Sequence, residues 1–193
     1  MQDYMAKQYV PENIVFAAAG GIEFEAFCDL VEKQTEHLKP SGKAPMRYKA
    51  FEGAEPRFLT RAKPIEQAHL CLCMPGFCID DPHLYALNVL NNAFGGSMSS
   101  RLFQQIREER GLAYDVYSHP STYAKNGVFS IYAGVTAAKA TEVCELILQE
   151  METLKKEGLS EEEFIRAKEQ LKGNYILGLE STSARMNAIG RSM

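Results

Sequence analysis

Two side chains seven residues apart, Arg107 and Tyr114, could together bind a peptide and stabilise negative charge that develops on it. A guanidinium group offers a rigid fork of donors to a carbonyl or carboxylate oxygen. A tyrosine hydroxyl can donate to the oxygen that gains charge in a tetrahedral intermediate. Composition alone favours a structural role, because Arg107 lies beside Glu108 and Glu109 in a charged run, and tyrosine is common in strands. Residue chemistry alone leaves both interpretations open.

A short glycine-containing segment, Gly95-Gly96-Ser97, precedes this pair. Glycine ends a helix readily because it adopts positive φ without steric cost. The same lack of a side chain would let an extended substrate approach the backbone. We therefore take Gly95, Gly96 and Ser97 as candidate substrate-binding residues, with a helix-terminating turn as the structural alternative.

The histidines and cysteines form no complete metal site in the sequence. The four histidines are His37, His69, His83 and His119, and none lies in a His-x-x-Glu-His pattern, which would place two ligands on one helical face. His69, Cys71 and Cys73 would share one face of a strand and could hold a soft metal. Cysteine also packs as a small hydrophobe in buried strands, and three ligands without a second cluster favour that interpretation. We predict no metal site in this chain.

Hydrophobic periodicity predicts the elements that position these residues. The predicted strands are Glu12 to Gly20, Arg57 to Ala62, Ala68 to Met74, Ala113 to Tyr123 and Gly127 to Val135. The predicted helices are Glu23 to Leu38, one beginning at Asp81-Pro82, Ser99 to Arg110, one capped by Thr136 and ended by Gly158, and a final helix from Ser160 to the C-terminus. This mixed order is typical of an α+β fold, an antiparallel sheet with helices packed on one face.

Local signals mark the turns between these elements. Asn126-Gly127 predicts a hairpin turn between two strands, and Ser160 with Glu163 forms a capping box at a helix start. The run Pro40 to Pro45 has the composition of a linker. We therefore expect residues 1–40 to be the strand–helix end of an incomplete first domain, residues 41–53 a linker, and residues 54–193 a second, C-terminally truncated domain.

Bulk composition limits the partners and the compartment. A formal net charge of -4 without a basic block gives no reason to expect nucleic acid. The longest apolar stretches are too short to span a bilayer, so we predict no membrane association. Five cysteines, an odd number without a regular framework, favour reduced thiols and a cytoplasmic location.

Four motifs occur along the chain in a consistent order. They are Tyr9 to Val15, Glu66 to His69, Phe94 to Tyr114 and Gly158 to Glu163. Together they resemble the end of the first domain and most of the second domain of the M16 zinc metallopeptidases, the family of the mitochondrial processing peptidases and insulysin. The resemblance covers nearly the whole chain and implies a pair of similar α+β domains in the parent protein.

The resemblance implies roles for residues whose function cannot be decided from their chemistry alone. In active M16 enzymes an Arg and a Tyr at this spacing help bind substrate, which implies catalytic roles for Arg107 and Tyr114. Gly95, Gly96 and Ser97 match the position of a glycine-rich substrate loop. The zinc-binding His-x-x-Glu-His helix lies upstream in the family, so zinc would bind in the parent protein outside this chain.

The implied function is the substrate-binding half of a zinc-dependent metalloendopeptidase of the processing-peptidase type, inactive as a fragment. Its substrate would be a peptide or an unfolded polypeptide. The resemblance also implies a homodimer or a pair of M16-like subunits. A non-catalytic M16-like partner or scaffold subunit is the alternative, because such family members exist.

Overall fold

The computed structural model describes residues 1–42, 53 and 55–192. They fall into two compact units, one comprising Met1–Tyr48 with Gly173–Met193 and the other comprising Lys49–Lys172. Most of the linker expected over 41–53 lies outside the described residues. The domain boundaries given above stay a prediction.

The helices and strands of the described residues alternate in mixed order. They are α1 (Gln2–Gln8), α2 (Phe24–Thr35), β1 (Gln67–Gly76), α3 (Leu84–Phe94), a π-helix (Phe103–Glu108), β2 (Ala113–Thr122), β3 (Gly127–Thr136), α4 (Ala140–Glu157), α5 (Glu161–Gly178) and α6 (Thr182–Arg191). Short 3-10 turns cover Pro11–Asn13 and Ala137–Lys139.

The three strands form one antiparallel sheet in the order β1-β3-β2. In the register of β1 with β3, Gln67 lies opposite Thr136 and Gly76 lies opposite Gly127. Strands β2 and β3 form the predicted hairpin, and their register shifts between Ala113 and Asp115. The sheet therefore carries one bulge, at the start of β2.

The core lies on a single face of the sheet. Its fully buried apolar members come from α3, β2, β3, α4 and the helical run around the π-helix: Phe94, Val116, Ile131, Ala133, Val135, Val143, Ile147, Leu102 and Ile106. Alternate residues of β1 pack against this cluster, while the residues between them are exposed. An antiparallel sheet with helices on one face is what the sequence predicts, and the fold class is confirmed.

Two predicted strands are absent from the structure. Residues 14–19 are extended or irregular after a 3-10 turn at Pro11–Asn13, and residues 57–62 have no regular secondary structure. A strand requires a neighbouring strand to satisfy its backbone groups, and none in the described part of the chain pairs with either segment.

Three predicted helix ends also differ from the structure. Helix α3 begins at Leu84 rather than at Asp81-Pro82, although the Asp81 carboxylate accepts from the His83 amide at 2.8 Å. Thr136 makes no side-chain cap bond. The final helix does not continue to the end, because Ser181 begins a separate helix, α6, and its hydroxyl accepts from the Ala184 amide.

Candidate substrate-binding site

The helix that carries Arg107 has an unusual hydrogen-bond pattern. The sequence predicts a helix over Ser99 to Arg110, and six of its residues, Phe103–Glu108, form a π-helix. Its wider turn is visible in the Glu109 amide, which donates to the Gln104 carbonyl at 2.9 Å. Short π-helical segments occur frequently at functional sites. Nothing in the hydrophobic pattern of the sequence predicts this wider π-helical turn.

Arg107 is exposed on this π-helix. Its guanidinium carbon lies 4.8 Å from the centroid of the Phe103 ring, within the range of a cation–π interaction. The Arg107 carbonyl accepts from the Gly111 amide at 3.1 Å. In the part of the chain that the structure describes, no acceptor is hydrogen-bonded to the guanidinium.

Tyr114 lies just beyond the helix, where β2 begins. The chain turns at Gly111, whose φ of +60° is a conformation that favours glycine, and the Leu112 amide then donates to the Ile106 carbonyl at 2.9 Å. The register shift between Ala113 and Asp115 places Tyr114 in a β-bulge. Bulges redirect side chains and are common beside active sites.

The Tyr114 side chain is 60% exposed, and its hydroxyl has no hydrogen-bond partner among the described residues. Arg107 and Tyr114 thus flank one tight connection at Gly111, each on an irregular element. No hydrogen bond joins them to each other within residues 55–192. Their roles as substrate ligands stay predictions.

The glycine segment is closely packed against its neighbours. A Cβ on Gly95 would lie 2.5 Å from the Ser118 hydroxyl and 2.7 Å from the Ser118 amide nitrogen. The Gly95 carbonyl accepts from that same amide at 3.0 Å. A Cβ on Gly96 would lie 2.6 Å from the Asn91 side-chain amide. Both glycines are therefore required by packing, which supports the structural alternative at Gly95.

Ser97 is half-buried and also bonds within the fold, since its hydroxyl donates to the Asn92 carbonyl at 3.0 Å. The backbone of Gly96 is exposed. A substrate-binding role for Gly95, Gly96 and Ser97 stays a prediction, with Gly96 the member that a substrate can reach.

A second arginine, Arg101, lies at the start of the same helical run and is held by three hydrogen bonds. It donates to Glu163 through Nε at 2.6 Å and through Nη2 at 2.7 Å, and to the Gly158 carbonyl at 2.9 Å. The two side chains are 15% and 18% exposed. Sequence analysis did not single out Arg101, because its partner lies far along the chain and no local pattern marks the pair.

The same carboxylate closes the predicted capping box. Glu163 accepts from the Ser160 amide at 2.8 Å, and the Ser160 hydroxyl accepts from the Glu163 amide at 3.2 Å. The hydrogen bond from Arg101 is the main reason that the pKa of Glu163 falls from 4.5 to about 2, and burial opposes this shift. Gly158, with φ of +74°, ends α4 as predicted.

The open face of the sheet carries His69, Cys71 and Cys73. They share one face of β1, as the period of two predicts, but both cysteines are exposed and not buried. The expectation of burial was wrong because the helices cover the opposite face. His69 Nδ1 lies 2.8 Å from the Tyr132 hydroxyl on β3.

Metal ligands are not gathered anywhere in the described ranges. No group of three or more His, Cys, Asp and Glu side chains there could hold a metal ion. The four histidines lie on separate elements: His37 follows α2, His83 precedes α3, and His69 and His119 lie on β1 and β2. Nor is any helix of the described chain long and apolar enough to cross a membrane.

An antiparallel sheet with helices packed on one face is the architecture that the M16 resemblance implies. The family model described as "Peptidase M16 inactive domain" matches residues 1–171. The chain belongs to this M16 family, as the C-terminal inactive domain of zinc-protease-like proteins.

Known proteins resemble the chain over most of its length. It is 42% identical over 192 residues to "Uncharacterized zinc protease YmxG" of Bacillus subtilis (strain 168), covering 100% of this chain and 46% of the relative. The crystal structure of a peptidase M16 inactive domain from Pseudomonas fluorescens superposes with a TM-score of 0.72 at 25% identity, covering 88% of this chain and 40% of that one.

A third similarity concerns the fold alone. A chain of the complex III2 structure from Candida albicans superposes with a TM-score of 0.73 at 22% identity, covering 97% of this chain and 46% of that chain. The chain spans about half the length of the proteins it matches.

Proposed function

We propose that this chain is the substrate-binding half of a zinc-dependent metalloendopeptidase. The observation that carries the proposal is the pair of outward donors, Arg107 on a π-helix and Tyr114 in a β-bulge, on either side of Gly111. Neither side chain has a hydrogen-bond partner among the described residues, whereas Arg101, at the start of the same helical run, donates three hydrogen bonds. Donors that the fold does not use are available to a ligand.

Arg107 and Tyr114 divide the work according to their chemistry. The Arg107 guanidinium binds and orients a peptide carbonyl or carboxylate, with the Phe103 ring holding it from one side. The Tyr114 hydroxyl donates to the scissile oxygen as that oxygen gains charge. Zinc, held by a first domain outside this chain, would activate the attacking water. The chain by itself would be inactive.

The wider organisation follows from the same proposal. Residues 1–40 would complete a first M16-like domain, and residues 54–193 would form most of the second. The substrate would be a peptide or an unfolded polypeptide, cut in the manner of a processing peptidase. The enzyme would work in the cytoplasm as a homodimer or with a paired M16-like subunit.

A non-catalytic partner or scaffold subunit is the second candidate. It is favoured by the fold similarity to a chain of the Candida albicans complex III2 structure over 97% of this sequence. A scaffold would use the same fold without needing Arg107 and Tyr114 for chemistry. The two candidates therefore differ in what substitution of these residues does.

The test is peptide hydrolysis by the zinc-loaded full-length protein. We expect Tyr114→Phe to lower kcat by about 10²–10³, the usual effect of losing one oxyanion donor, and Arg107→Ala to lower kcat/KM with a raised KM. Arg110→Ala and Tyr85→Phe are matched controls at exposed positions and should stay within about twofold. Zinc content should be unchanged in all four variants.

Unchanged hydrolysis by Tyr114→Phe and Arg107→Ala would contradict the proposed roles. A full-length protein that binds no zinc and cleaves no peptide would instead support the scaffold.

A further inference from the structure

Two thiols lie side by side on the open face of the sheet. Cys71 and Cys73 alternate along β1, both are exposed, and their sulfur atoms are 3.5 Å apart. Neither takes part in a disulfide. The proposed peptidase mechanism uses neither residue. The pair is independent of Arg107 and Tyr114.

Strand geometry opposes an internal disulfide between these thiols. Residues i and i+2 of a strand lie about 6.6 Å apart at Cα, from a rise of about 3.3 Å per residue. A disulfide holds its Cα atoms at about 4.4–6.8 Å but its Cβ atoms at only about 3.8 Å. The Cβ atoms of residues i and i+2 point to the same face of a strand and stay about as far apart as the Cα atoms, which is too far for the bond. Pairing with Tyr132 and Ser130 of β3 keeps Cys71 and Cys73 in register, so the strand cannot shorten. The pair therefore persists as two thiols.

A metal ion makes a wider bridge than a disulfide. With metal–sulfur bonds of about 2.3 Å, two sulfurs on one ion are about 3.8 Å apart at a tetrahedral angle, and the distance grows as the angle opens. An ion with only two ligands opens this angle towards linear, which places the sulfurs about 4.6 Å apart. The observed 3.5 Å is shorter, and the exposed side chains can rotate apart to reach that distance. Thiolates are soft ligands that select cations such as Cu(I).

We propose that Cys71 and Cys73 together form a binding site for a thiophilic cation of low coordination number, of which Cu(I) is the example. On binding, two S–H bonds break, two S–Cu bonds form, and the two protons pass to solvent without a change in oxidation state. Two thiolates are sufficient ligands for such an ion. The site therefore does not need the group of three ligands that is absent from the described residues.

The surroundings of the pair are consistent with this chemistry. His69, the next residue on the same face, is engaged with the Tyr132 hydroxyl, so the site rests on sulfur alone. Burial is the main reason that the pKa of the Cys73 thiol is raised, followed by the hydrogen bond and the charge interaction with Cys71. A metal ion must therefore displace the Cys73 proton against this raised pKa.

The test is an anaerobic titration of the reduced full-length protein with Cu(I) held in a coloured chelate. We expect transfer of one Cu(I) from the chelate to the protein through this site. Cys71→Ser and Cys73→Ser should each weaken that binding at least about 100-fold, because a single thiolate cannot chelate. Cys28→Ser and Cys144→Ser are controls that should retain it. Circular dichroism checks that each variant is folded.

Two results would overturn the proposal. One is Cu(I) transfer that Cys73→Ser leaves unchanged. The other is a Cys71–Cys73 disulfide, found by mass spectrometry after mild oxidation with glutathione disulfide, since that would contradict the geometric argument. Neither result bears on peptide hydrolysis, so this site and the proposed peptidase function succeed or fail separately.

Discussion

The two ends of one helical run use arginine in opposite ways. Arg101 gives three hydrogen bonds, two to Glu163 and one to the Gly158 carbonyl, and its side chain is 15% exposed. Arg107 lies on the π-helix with only the Phe103 ring beside it among the described residues. The first arginine joins elements of the fold, whereas the second points outward. Hydrogen bonding of the donors within the fold, rather than position in the sequence, distinguishes the structural arginine from the candidate ligand-binding one.

The largest expected effect concerns stability. Arg101→Met should lower the free energy of unfolding by about 2–4 kcal/mol, because it leaves the mostly buried Glu163 carboxylate without its partner. Arg107→Met, six positions away, should change it by no more than about 0.5 kcal/mol. Urea unfolding of both variants measures the difference. Equal losses would remove the distinction between the two arginines.

The contribution of the Arg101–Glu163 ion pair to the free energy of unfolding should depend on pH. The pKa of Glu163 is about 2 in the folded protein against an ordinary 4.5, so the unfolded state takes up a proton first as the pH falls. This contribution, about 2–3 kcal/mol, is fully present above about pH 4.5 and is lost as the pH falls towards 2.

Unfolding measured between pH 6 and pH 2 tests this dependence. Glu163→Gln is the matched control, because glutamine retains the capping geometry but cannot titrate. Its stability should fall less steeply than that of the wild type. Parallel curves for the two proteins would mean that Arg101 does not lower this pKa.

The smallest effect concerns how Arg107 is held. If the Phe103 ring positions the guanidinium, Phe103→Leu should raise KM about two- to fivefold with little change in kcat, corresponding to a cation–π contribution of about 0.5–1 kcal/mol. Phe103→Tyr retains a ring and should behave as the wild type. Hydrolysis by the full-length protein measures both. An unchanged KM for the leucine variant would show that the ring does not position Arg107.

Local signals explain which parts of the fold could be predicted. The β2–β3 hairpin follows from strand alternation around Asn126-Gly127, and the capping box of Ser160 and Glu163 needs only neighbouring residues. By contrast, the segments 14–19 and 57–62 have strand-like composition, but among the described residues no strand pairs with either of them. Strand formation depends on a partner, which composition does not reveal.

The candidate site residues could be named from the sequence, but the shape of the elements that carry them could not be predicted. Spacing and family resemblance point to Arg107 and Tyr114, yet neither the π-helix nor the β-bulge has a signal in the hydrophobic pattern. The exposure of Cys71 and Cys73 could likewise not be predicted from the hydrophobic pattern. A period of two groups side chains on a face, but only the position of the helices determines which face is covered.

The hydrogen bond between the Gly95 carbonyl and the Ser118 amide also limits how this sheet can grow. An open strand edge invites pairing with another chain, and this bond occupies the outer edge of β2 at its middle. The glycine that permits it cannot be enlarged without a clash. In the described part of the molecule no strand pairs with the outer edge of β1. The middle of the outer edge of β2 is therefore closed to an added strand.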